Sequence, residues 1–254
     1  MKLKFTKRLR QLLLRLLAIM IAVMANAAIA AEPVTVAVTH INKLLEASRP
    51  DLPYAQILAL VKQRSKRDIT YKFGSSQRNS MMLKEQQALC LFPGSLYSPV
   101  EIGARIESAA INVAKAYFMG FTSFTADEVL AADGPELMIG FKRGNTFGSK
   151  IDQLQHHILV DLNDDSQVVA LLEKGRIDLM IGYLPDIKYM LNADSERPIL
   201  YGDDSLFHTQ NDSFLCSDSK PSRAFVAELD TIITKMRNSG ELKQILGPSL
   251  YLAQ

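Results

Sequence analysis

The 254-residue chain has no proline- or serine-rich linker, no low-complexity tract and no obvious short-period repeat. A disordered chain, a collagen-like rod and a coiled coil are excluded. Its 48% apolar and 22% charged residues, with 13 Gly and 10 Pro, supply core enough for one large domain or two small ones. Acidic residues are missing from the first 30 positions, which hold six basic ones: Lys2, Lys4, Lys7, Arg8, Arg10 and Arg15. Without that segment the 29 basic residues fall to 23 against 27 acidic, a net of −4 in place of +2. The basicity belongs to the N-terminus, and the body has no evident affinity for nucleic acid. Catalytic signatures are missing as well. There is no G-x-S-x-G elbow, no H-E-x-x-H and no paired-cysteine motif. The run from Gly144 to Lys150 has one residue too few between its glycines for a phosphate loop, which argues against ATP. No Cys or carboxylate cluster stands at metal-ligand spacing, and His156 and His157, as neighbours on a strand, should face opposite sides. No metal and no cofactor are expected.

What the N-terminus does hold is a basic stretch, the apolar run Leu16–Met24 and an Ala28-Ile29-Ala30 site ahead of Ala31-Glu32-Pro33. This reads as a cleavable secretory signal over residues 1–30. The apolar part, about 16 residues, is shorter than the roughly 20 a spanning helix needs. No Cys lies beside the cleavage region, which argues against a lipid anchor, so the mature chain is expected in the periplasm. The two cysteines, Cys90 and Cys216, then admit two readings in an oxidising compartment: one disulfide, or two separately buried thiols.

Strand-like and helix-like segments alternate along the body. Val34–Val38 is β-branched. Asp51 is placed to cap a helix carrying Pro53 in its first turn, with Tyr54, Ile57, Leu58 and Val61 on one face. Ile69–Phe73 reads as a strand, Ser76–Gln87 as a helix, and Ala88–Phe92 as a short buried strand. The middle repeats the pattern: strand Leu137–Phe141, a glycine-bearing turn, strand His157–Val160, a helix capped by Asp165 and stopped by Gly175, and strand Ile177–Gly182. A strand at Ser213–Cys216 and a long helix from Pro221, striped by Phe225, Val226, Leu229, Ile232, Ile233 and Met236, close the chain. This is the grammar of parallel sheets covered by helices, in two units of similar size.

Three stretches carry a resemblance. Ser166–Asp178 is similar to the helix, "GR-D" and strand of the family 3 periplasmic solute-binding proteins. Glu136–Thr146 resembles their second-lobe strand and turn, and Phe225–Ile245 their closing helices. The resemblance implies an α/β, two-lobed type II periplasmic-binding-protein fold, with the lobes joined by two crossing strands. Lobe 1 would comprise residues 31–114 and the returning 208–254, and lobe 2 residues 115–207. It also implies that Cys216 returns beside Cys90, which favours the disulfide.

The family meets an amino-acid carboxylate with an arginine and backbone N–H groups, and the ammonium with an aspartate. Here Glu101 stands where the arginine is expected and Tyr183 where the aspartate is expected. Arg105, one helical turn on, and Asp186, three residues on, are the available substitutes. Gly144, Asn145 and Thr146 match the family's anion-binding turn, with Arg143 beside it. His40, Ser95, Tyr97 and Tyr183 complete the candidate contacts, while Phe92 and Phe147 read more readily as core. The expected function is capture of a small polar organic solute, amino-acid-like or related, by a monomeric binding protein rather than an enzyme, delivering to an ABC-importer permease. A periplasmic sensor that reports to a membrane signalling protein is the alternative. A dehydratase-like cleft enzyme using Glu101 is a third.

Overall fold

A computed structural model describes residues 33–97, 103–145, 147–191 and 197–251. The leader lies outside the described residues. None of the described helices is long and apolar enough to cross a membrane.

The first unit runs β1 (Val34–Thr39), α1 (Pro53–Arg64), β2 (Ile69–Gly74), α2 (Ser76–Lys84) and β3 (Cys90–Gly94). The tight stripe foreseen on α1 is buried: Tyr54, Ile57, Leu58 and Val61 all face the core. Its N-cap is Leu52 with no side-chain cap, because Asp51 is engaged by Arg49 in a two-bond pair at 2.7 and 2.9 Å. Helix α2 begins where expected, with Ser75 accepting from the Arg78 N–H, but ends at Lys84 rather than Gln87.

Two strands follow that the sequence pattern alone did not announce, β4 (Arg105–Glu107) and β5 (Asn112–Met119). The second unit then comprises α3 (Ala126–Leu130), β6 (Met138–Lys142), a 3-10 turn at Gly148–Leu154, β7 (Ile158–Leu162), α4 (Asp165–Glu173) and β8 (Leu179–Leu184). The cap of α4 is Asp164, which accepts from the Ser166 and Gln167 N–H groups, rather than Asp165. Asp165 instead turns to Lys142, 3.3 Å away. The chain returns through β9 (Leu206–Ser217) and ends in α5 (Lys220–Asn238) and α6 (Glu241–Leu246).

The sheet order is β2-β1-β3-β9-β5-β8-β6-β7, with β4 also on β9. Strand β9 is long enough to serve both units. Its C-terminal half pairs antiparallel with β3 and β4, and its N-terminal half with β5. Strand β5 in turn pairs β8. The two crossing strands thereby join two cores. One contains Val36, Tyr54, Phe92, Phe214 and the buried stripe of α5. The other sits on both faces of β5 and β8, whose residues alternate between its layers: Leu179, Ile181 and Tyr183 to one side, Met180 and Leu184 to the other. Burial on both faces explains why β8 reads as a continuous apolar run. Cys90 on β3 lies opposite Cys216 on β9, and the two form a disulfide across 126 residues of sequence.

Candidate functional site

The carboxyl ends of β1, β3, β6 and β8 open into a cleft of about 430 Å3 between the units. Open α/β sheets generally bind ligands at this end. One wall is Thr39 at the end of β1 and His40 after it, with Ser76, Gln77 and Asn79 at the start of α2. The opposite wall is Lys142 at the end of β6, the turn Arg143–Asn145, Tyr183 near the end of β8 and Asp186 after it. The crossing strand β9 contributes Gln210 and Asp212.

Asp212, 4% exposed, is held by a chain of hydrogen bonds. Tyr54 Oη donates to its Oδ2 at 2.5 Å. Asn112 Nδ2 donates to the Tyr54 oxygen at 3.0 Å and to the Ser249 carbonyl at 2.7 Å, while the Tyr251 N–H donates to Asn112 Oδ1 at 2.8 Å. Burial pushes the Asp212 carboxyl above its usual range, and the Tyr54 bond pulls the other way. Burial raises Asp186 further, helped by the charge of Asp212 and opposed by Lys142. Each carboxyl thus favours its protonated form more than an exposed aspartate does.

The cations on the wall are engaged. Lys142 pairs with Asp165 at 3.3 Å. Arg143 Nε donates to Asp161 Oδ2 at 2.6 Å, and its Nη1 to Asn163 Oδ1 at 3.3 Å.

Of the residues expected from the sequence, His40, Gly144, Asn145 and Tyr183 come together on this cleft. Two N–H groups of the turn are spent on backbone carbonyls. The Asn145 N–H donates to the Lys142 carbonyl at 3.1 Å, and the Arg143 N–H to the Leu162 carbonyl at 2.6 Å. Ser95 is buried behind the wall, its hydroxyl donating to Gln210 Oε1 at 3.2 Å. Tyr97 is half exposed and lines a second hollow with Phe147, Lys150 and His208 instead. Arg105 is on β4 opposite Ser217, not on a helix, and does not line the cleft. Thr146 and Glu101 lie outside the described residues. Phe92 and Phe147 are core residues, 0% and 2% exposed. His156 and His157 precede β7 rather than lie on it, so their rings approach to 3.8 Å instead of diverging. His157 spends both nitrogens on backbone, the Leu137 N–H and the Val129 carbonyl. The residues that sequence reasoning missed are Asp212, Gln210, Asn79 and Lys142. The sequence offered little signal for Asp212, which precedes the Ser213–Cys216 run read as strand but lies inside the longer β9.

No family model matches the chain, and no curated protein matches its sequence. Solved structures do. The ligand-binding core of GluR0 from Nostoc punctiforme, in complex with L-glutamate, superposes with a TM-score of 0.68 at 11% identity, covering 85% of this chain and 99% of that one. The substrate-binding protein of an amino acid ABC transporter gives 0.64 at 14%, covering 87% and 100%. A mutant of ArgBP from T. maritima gives 0.66 at 8%, covering 86% and 95%. The fold is therefore that of the type II periplasmic binding proteins, two α/β lobes joined by two crossing strands.

Proposed function

We propose that the chain is a periplasmic solute-binding protein that captures a small polar organic solute, amino-acid-like or related, between its lobes. One observation carries the reading: a cleft of about 430 Å3 runs between two separate cores, and two carboxyls, the part-buried Asp186 and the buried Asp212, reach it from different strands. Buried polar groups of that kind are costly unless something pairs with them. The solved neighbours support it, since their names describe glutamate, arginine and amino-acid ligands. So does the disulfide, which fits an oxidising compartment. The residue 1–30 leader would direct export, and the lobes would divide at residues 31–114 with 208–254, and 115–207. Delivery to a membrane permease would follow from lobe closure on the ligand.

The test is a thermal-shift screen of refolded, ligand-stripped protein against amino acids, polyamines, organic acids and small peptides. A solute at 100 times its Kd should add about 2.7 kcal/mol, a shift of several degrees. A flat screen from folded protein would sink the solute-binding reading and direct attention to a membrane-protein partner.

A further inference from the structure

We propose that the cleft's ligand is an organic amine, held by its cationic nitrogen between Asp186 and Asp212, and that recognition requires no carboxylate. This deepens the solute-binding reading and rests on it.

The charge arrangement around the cleft carries the inference. Asp186 and Asp212 reach the same space from different strands, one following β8 and one on β9. The two cations on the wall, Lys142 and Arg143, already hold Asp165 and Asp161. Among the described residues no further lysine or arginine lines the cleft. Its net side-chain charge, counted with those ion-pair partners, is therefore negative. A buried acceptor near the cleft also lacks a partner. Asn79, 1% exposed and on the wall facing Lys142 and Asp186, spends its Nδ2 on Thr39 Oγ1 and the Gly74 carbonyl, and its buried Oδ1 has no hydrogen-bond partner.

An ammonium supplies three donors and no acceptor, which suits two carboxylates. Tyr183, its ring stacked on Phe147 at 5.5 Å, stands beside the acids and suits the alkyl portion of an amine. Among the described residues an anion finds fewer partners. The N–H groups of Arg143 and Asn145 are spent on backbone carbonyls, and Arg105 is elsewhere on β4. The start of α2, with Ser76 and Gln77 on the cleft wall, favours negative charge through the helix dipole. A ligand carboxylate, if recognised, would be recognised there.

Amine and carboxylate recognition separate cleanly in pairs of molecules that differ by one carboxylate. Purified, refolded protein with its disulfide oxidised would be titrated calorimetrically with agmatine against arginine and cadaverine against lysine, with putrescine and glutamate alongside. At least one amine is expected to bind no more weakly than its amino acid, and Asp186→Asn to weaken that amine by tenfold or more. Arginine or lysine binding over tenfold tighter than its amine overturns the inference and leaves the solute-binding reading standing. So does binding confined to carboxylate-bearing or uncharged solutes. Absence of binding by every solute here and in the broader screen overturns both. The wild-type pairs decide the matter even if Asp186→Asn does not fold.

Discussion

Two carboxyls sharing a partly enclosed cleft stabilise each other's protonated forms, and this has a consequence for the ligand-free protein. In an unfolded chain an aspartate titrates near ~3.9, whereas burial and the Asp212 charge lift Asp186 well above that in the fold. Between those two pH values the folded state binds more protons than the unfolded one, so Asp186 makes stability fall as pH rises. Its proton-bound form is cheap below about pH 4, and its cost is complete once pH passes the raised value. Asp186→Asn removes this cost. The variant, without ligand, is expected to unfold at a higher temperature than wild type at pH 8, with little difference at pH 4. Scanning calorimetry at the two pH values measures it. A variant less stable than wild type at pH 8 would mean that the carboxylate is ionised and compensated, by Lys142 for instance. At this scale the sequence was partly legible. Asp186 stood near a position that a family resemblance marked, but Asp212 did not, because an acid between Asn211 and Ser213 reads as solvated. Only the fold brings Tyr54, 158 residues away in sequence, to donate to it.

Among the elements, the turn after β6 and the 3-10 segment that follows it bring lobe 2 against lobe 1 through two glycines. Gly144 has φ +87, and a Cβ there would stand 3.1 Å from Ser76 Cβ at the start of α2. Gly148 has φ +58, and its Cβ would stand 3.1 Å from the Tyr97 ring. Both substitutions by alanine bear a left-handed backbone cost, roughly 1–2 kcal/mol each whatever the lobes do. The interlobe contacts differ. Tyr97 is a half-exposed ring that can swing aside, while Ser76 Cβ is fixed to a helix backbone. Gly144→Ala is therefore expected to weaken ligand binding more than Gly148→Ala, although both lower the melting temperature similarly. Titration calorimetry and melting curves on the two variants check this, and equal losses of affinity would show that α2 yields as readily as the ring. Element type was legible here and register was not. Adjacent Asp164 and Asp165 can each cap α4, and the choice falls to Asp164 because Lys142 on a neighbouring strand draws Asp165 away. Strands β4 and β5 escaped the pattern because β4 has three residues and β5 mixes buried apolar with polar positions.

The whole molecule closes on itself through its tail. Strand β9 leaves the second lobe, crosses back, and ties Cys216 to Cys90 inside the first core. The bond encloses the entire second lobe in a covalent loop, its ends 126 residues apart. That two-lobed plan was legible only through the family resemblance, since periodicity shows units of α/β structure but not which strands cross between them. The loop restricts the unfolded chain, and the chain-entropy model allows up to roughly 5 kcal/mol for one of this length. The Cys90→Ala/Cys216→Ala double variant is expected to unfold at lower urea concentration than the oxidised wild type. Its affinity for ligand should stay within a few-fold, because both positions are fully buried in the first core and neither lines the cleft. Urea titrations in the presence and absence of ligand separate the two effects. The ligand-induced increment in stability should be the same for both proteins if the bond acts through the unfolded chain. A smaller increment in the variant would mean instead that the disulfide holds β3 and β9 in the positions from which Asp212 and Gln210 meet the ligand.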